Sequence, residues 1–239
     1  GALAPKSYNA GINSAAALSE PVSQGMLSEK HTGGAIKKRI GGYPLIKRLI
    51  TVPKTFPDKA AIATTHGQVE SIRQAPWGGW EITVNGEKHQ SGREQTPLVK
   101  EKQIVERGDV LTDGIVNPSE YVQYNGLGEG RRNFSEQLRG AFDEMGAGLD
   151  RIHFELAARS LVNFGKVDGK ENIGMHLPGD TATFSSLQKR VKVKDSSIVN
   201  LKSGSFIPYN RYLTKPYLHF TVGTELTRKV AEELTKNGF

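Results

Sequence analysis

The chain has 239 residues, of which 36% are hydrophobic, with 27 Gly and 11 Pro, a composition suited to one or two domains of short elements and many turns. It contains no Cys, which excludes disulfides and thiolate metal sites, and no apolar run approaches the ~20 residues that cross a bilayer. The net charge of +7 and pI near 9.5 favour a polyanionic partner such as nucleic acid or nucleotide, although a basic surface facing an acidic protein fits the same values.

Residues 8–29 read as helical, with Ala10, Ala15, Ala16, Ala17, Leu18, Met26 and Leu27 as compatible positions and Pro21 as the expected break or kink. Thr32-Gly33-Gly34 reads as a hinge, and Lys37-Lys38-Arg39 as a tip bounded by Gly41-Gly42. A second helix is expected from Pro44 to Ile50, where Leu45, Ile46, Leu49 and Ile50 form one apolar stripe and Pro44 suits a first turn.

From 59 to 111 the pattern turns to β. Short strands are expected at 60–65, around Val69 and Ile72, at Trp80–Val84, at Gln95–Val99 and at Val105–Leu111. Asn85-Gly86 is a hairpin signal, and Gly108-Asp109 sits in a turn. Helix returns over 117–164, starting at Asn117-Pro118-Ser119-Glu120, with a longer run from Asn133 to Glu144 and another capped by Asp150. Short strands and turns follow over 172–222, and a closing helix over Glu225–Asn237 has Thr224 as its expected cap and Gly238 beyond its end. No internal repeat is visible. Lys6 leads into polar and small residues rather than an apolar core, so no secretory signal is read.

The segment from Glu20 to Gly34 reads EPxxQxxxxxxHTGG. It resembles the trigger loop of the largest subunit of cellular multisubunit RNA polymerases, the bacterial β′ type. Further blocks resemble that family in the same order over roughly residues 10–180. Gly11-Ile12 and Ala15 match a run before the Glu-Pro pair, and Gly42-Tyr43-Pro44 with Ile46 and Leu49 matches a following helix. Lys59–Ala63 and Gly67–Glu70 match a strand pair, and Gly108–Gly114 matches the turn GDxLTDG. Phe142, Gly146, His153, Glu155 and Arg159 match one ungapped pattern, and Leu177–Asp180 an LPG turn. Residues 185–239 match less clearly, and the short form is similar to the divergent, split large subunits of phage polymerases.

The resemblance implies a catalytic role for His31, beside the phosphates of an incoming nucleoside triphosphate. An imidazole has the right chemistry, since it titrates near neutrality, bonds to phosphate oxygen and stabilises charge on leaving pyrophosphate. Read by itself, His31 is also an ordinary polar residue near a Gly turn. Gln24, Leu27 and Lys30 are the implied substrate-binding residues; Leu27 lies one helical turn before His31, where the family packs an apolar side chain on the base, and plain helix packing explains it equally. Ser28 departs from the family, which has an Arg there. Lys37, Lys38, Arg39, Lys47, Arg48, Arg131 and Arg132 are candidate nucleic-acid contacts, although each taken alone reads as a solvated surface charge. Trp77, Trp80, Tyr121 and Tyr124 offer stacking surfaces or packing. His153, Glu155 and Arg159 read as structural, with Glu155 and Arg159 as an expected i, i+4 pair.

The family's Asp-rich metal run is absent. The resemblance therefore implies Mg²⁺ held by a partner chain, and no RNA synthesis by this chain alone. The expected architecture is α+β and part of a larger assembly: a trigger-loop helical hairpin over 1–52, a small β-barrel or sandwich over 53–116, a helical segment over 117–165 and a mixed module over 166–239. Implied partners are β-like and N-terminal β′-like chains, template DNA, nascent RNA and nucleoside triphosphates, in the cytoplasm of a host cell and not a membrane. The alternative is a non-catalytic phage virion or assembly protein with a polymerase-derived fold. Gly at position 1 leaves open both processing of a packaged precursor and an artificial start.

Overall fold

The computed structural model describes residues 5, 7–31, 40–53, 55–56, 58–167, 172–188 and 211–239. In chain order the elements are α1 (Ala10–His31), α2 (Gly42–Thr51), β1 (Gly67–Gln74), β2 (Trp80–Val84), β3 (Glu87–Gln90), β4 (Ile104–Val105), α3 (Pro118–Glu144), α4 (Arg151–Leu161), β5 (Phe164–Lys166), β6 (Thr181–Thr183), α5 (Phe184–Gln188) and α6 (Arg228–Lys236). The fold is mixed α+β, as expected. Two compact units divide it, residues 1–56 with 131–162 and residues 57–130 with 163–239, and the division falls within α3.

The first unit is helical. On α3, Phe134, Leu138, Ala141 and Phe142 recur at helical spacing and are all buried. Ile46 and Leu49 of α2 and Phe154 and Ala158 of α4 are buried as well. The Phe142 and Phe154 rings meet edge to face at 5.3 Å and 67°. Pro21 does not break α1, which runs through it. A proline removes one backbone donor, a loss that the tertiary contacts of a long helix offset. One such contact joins the buried Ser14 Oγ and His153 Nδ1, 2.9 Å apart. Asp150 occupies the N-cap position of α4, but its side chain makes no capping bond. Glu155 accepts from Arg151 Nε at 2.6 Å, so its partner is the residue one turn before it rather than Arg159.

The second unit holds an antiparallel sheet in the order β3-β2-β1-β4. Ile82 and Val84 alternate inward from β2 and pack with Val69, Val105 and Leu111. Asn85 and Gly86 turn the hairpin with φ of 47° and 79°, both left-handed, as a type I′ turn requires. The expected strand at 60–65 is an extended segment instead. It pairs through isolated bridges, Lys59 with Ile115 and Ile62 with Val110, and the Ala61 N–H donates to Thr112 Oγ1 at 2.9 Å. Of the later strands expected at 95–99 and 105–111, only Val105 enters the main sheet, in β4 with Ile104.

Around the sheet, Tyr121 and Tyr124 of α3 pack on Ala60, Ile62 and Val116. The Arg107 guanidinium lies 4.9 Å from the Tyr124 ring centroid. The Arg107 N–H donates to His66 Nδ1, so His66 carries its proton on Nε2 and donates it to the buried Glu225. The closing helix begins later than expected, and its cap is Thr227, which accepts from the Val230 N–H. Residues before it are drawn into extended pairing, Tyr212 with Glu225 and the Leu226 N–H with Arg211 O, and Thr224 is thereby excluded as a cap. Val230, Ala231 and Leu234 of α6 form a cluster with Leu213, Phe220 and Leu226. Among the described residues no helix is long and apolar enough to cross a membrane.

Candidate functional site

Helix α1 carries the residues singled out from the sequence. Its inward side is marked by Ser14, bonded to His153, and by Gly25, where an added Cβ would stand 2.8 Å from Met145 Sδ and 3.4 Å from Tyr43 Cβ. At about 100° per residue, positions 24, 27 and 31 fall within about 60° of one another, roughly 120° around the helix from positions 14 and 25. Gln24 is exposed, and Leu27 retains 59% of its accessible surface. An apolar side chain held that far into solvent contributes little to this unit's own core. Lys30 and His31 lie in the last turn of α1, with side chains outside the described residues, as are Lys37, Lys38 and Arg39 entirely.

The remaining basic candidates separate by their surroundings. Lys47 is exposed and Arg48 half-buried on α2. Arg131 Nε–H donates to Val162 O at 2.8 Å, tying α3 to the end of α4. Burial, and then the like charge of Arg159, push the Arg131 guanidinium below its usual pKa. Arg132 is exposed and faces Glu136 at 3.4 Å, a surface pair that holds it weakly. Trp80 is half-buried in the sheet, and Trp77 Nε1–H donates to Ser91 O.

Catalytic Mg²⁺ calls for oxygen donors in near-octahedral array. Among the described residues, the group of three close metal-capable side chains is Glu129, His219 and Glu233, whose imidazole does not suit Mg²⁺. Sequence reading passed over this group because its members are far apart in the chain.

Over about seven tenths of its length the chain is similar to one segment of bacterial proteins named DNA-directed RNA polymerase subunit beta′. The relative from Symbiobacterium thermophilum is 30% identical over 177 residues, which are 72% of this chain and 14% of that protein. Those from Clostridioides difficile and Staphylococcus saprophyticus are 27% and 28% identical over 188 and 157 residues, covering 75% and 64% of this chain. The chain spans 16% or less of the length of these relatives. No protein-family model matches it.

Proposed function

We propose that this chain is a β′-like segment of a DNA-directed RNA polymerase, from a divergent split subunit of phage type, and that α1 and the residues after it form the trigger loop. What supports the reading is α1: by helical period, positions 24, 27 and 31 share a face centred about 120° from Ser14 and Gly25, whose contacts anchor the helix, and Leu27 there is 59% exposed. Similarity to beta′ subunits over most of the chain supports it.

In this reading the α1 face closes on the incoming nucleoside triphosphate. Leu27 packs on the base, and Gln24 and Lys30 line the same pocket. His31 donates a hydrogen bond to the phosphates and stabilises charge as the RNA 3′-hydroxyl attacks and pyrophosphate leaves. In this reading Lys37, Lys38, Arg39, Lys47, Arg48 and Arg132 contact nucleic-acid phosphate, Lys47 and Arg132 with exposed side chains, whereas Arg131 serves mainly to join α3 to α4. The Mg²⁺ site, the channel for template DNA and the remaining active-site groups belong to β-like and N-terminal β′-like chains.

The test is single-nucleotide extension by the assembled complex on a preformed DNA–RNA scaffold. Loss of one charge-stabilising hydrogen bond is worth ~2–4 kcal/mol, so His31→Ala is expected to slow addition by roughly a hundredfold while leaving assembly intact. Leu27→Ala is expected to raise the nucleotide concentration needed for half-maximal rate. A wild-type rate from the His31→Ala complex overturns the catalytic reading.

A further inference from the structure

Three segments of the second unit converge where the trigger-loop reading has no use for them. The kinked helix α3 contributes Glu129, the turn Tyr217–Phe220 contributes His219, and α6 contributes Glu233. The approach is built into the backbone. Gly126 turns α3 with φ 80° and ψ 169°, and Gly128 presents no side chain where a Cβ would lie 1.8 Å from His219 O. The turn itself is closed by reciprocal bonds between Tyr217 and Phe220 at 2.9 and 3.1 Å. The His219 ring lies 4.1 Å from the buried Phe220 ring at 38°, which fixes the imidazole plane.

One ligand atom from each of Glu129, His219 and Glu233 lies within 4.8 Å of the others. Glu129 accepts from His219 Nε2, while Glu233 Oε1 stands 3.9 Å from Nδ1, beyond hydrogen-bond reach. Side-chain exposures of 23%, 31% and 38% leave the group partly desolvated yet reachable from solvent. Glu129 and Glu233 also border a cavity of about 430 Å³, with Asp109, Glu225 and Lys229 among its lining residues. Of the four carboxylates in that wall, Asp109 is paired with Lys229 and Glu225 with His66, so the acidic charge offered to a cation beside His219 comes from Glu129 and Glu233, and the cavity has room for water ligands.

We propose that Glu129, His219 and Glu233 form a binding site for a divalent transition metal of the zinc type, which clips α3, the Tyr217–Phe220 turn and α6 together. One imidazole and two carboxylates are a donor set that Zn²⁺ takes with a water in the fourth position. The two carboxylates neutralise the metal's charge, and the imidazole selects against Mg²⁺ and Ca²⁺. The site is independent of nucleotide addition and stands or falls apart from it.

The test titrates the EDTA-stripped full chain with Zn²⁺ by calorimetry and with Co²⁺ by visible absorption. One equivalent is expected to bind, raising the thermal midpoint and producing Co²⁺ ligand-field bands. His219→Gln and Glu233→Gln, which retain polar side chains, are each expected to lower affinity by about tenfold or more, while His176→Gln leaves it unchanged. Urea midpoints in EDTA establish that each variant is folded. Wild-type chain that takes up no Zn²⁺ at about 100 μM overturns the proposal without recourse to any variant, and identifies the group as an imidazole held between carboxylates. Binding that survives both His219→Gln and Glu233→Gln also overturns it, because the metal then lies on other residues.

Discussion

Substituting Ala for Gly at two positions of α3 is expected to change stability in opposite directions. Glycine inside a helix costs about 0.5–1 kcal/mol relative to alanine, so propensity alone favours both Gly128→Ala and Gly140→Ala. At Gly140 no atom lies within 4 Å of the new Cβ, and the gain is expected in full. At Gly128 the Cβ would meet His219 O at 1.8 Å and His219 C at 2.7 Å. Both are backbone atoms, so relief requires moving the helix or the turn by more than an ångström. Overpacking of this kind costs about 1–3 kcal/mol, which exceeds the propensity gain. The expected net loss of about 1–2 kcal/mol lowers the urea midpoint by roughly 0.5–1 M for a slope of ~2 kcal/mol/M. Both tryptophans, Trp77 and Trp80, belong to the second unit, so their fluorescence reports its unfolding directly. Far-UV circular dichroism follows Gly140→Ala. A Gly128→Ala transition at or above the wild-type midpoint would refute the close approach of α3 and the His219 backbone.

Two further outcomes follow from single contacts. Ser14→Ala removes the hydrogen bond to His153 and is expected to cost about 1 kcal/mol, speeding amide exchange in α1 roughly fivefold; unchanged exchange there would dismiss Ser14 as an anchor of the helix. Thr227→Ala is expected to destabilise the second unit by about 1 kcal/mol in urea titration while Thr227→Ser is nearly neutral, and equal midpoints for all three chains would remove Thr227 as the cap of α6.

Local chemistry made several elements legible in the sequence. Asn85-Gly86 specifies a hairpin because both residues tolerate left-handed backbone, and both adopt it. The α2 stripe and the inward alternation of Ile82 and Val84 follow from the helical and strand periods, which neighbouring residues set among themselves. Similarity to β′ subunits was likewise readable, because motif spacing lies along the chain. Other features depended on partners distant in sequence. Pro21 reads as a break until the contacts of α1 are known, and Thr224 reads as a cap until residues 225 and 226 are seen in extended pairing. The segment from Lys59 to Ala63 has a strand's composition, but its bonding is decided by residues 109–115. Glu129 and His219 lie 90 positions apart, and no periodicity links them. Their meeting depends on a bend at Gly126 and on bare backbone at Gly128. Propensity and period act over a few residues, whereas the convergence of side chains from three segments is fixed only when the chain packs against itself.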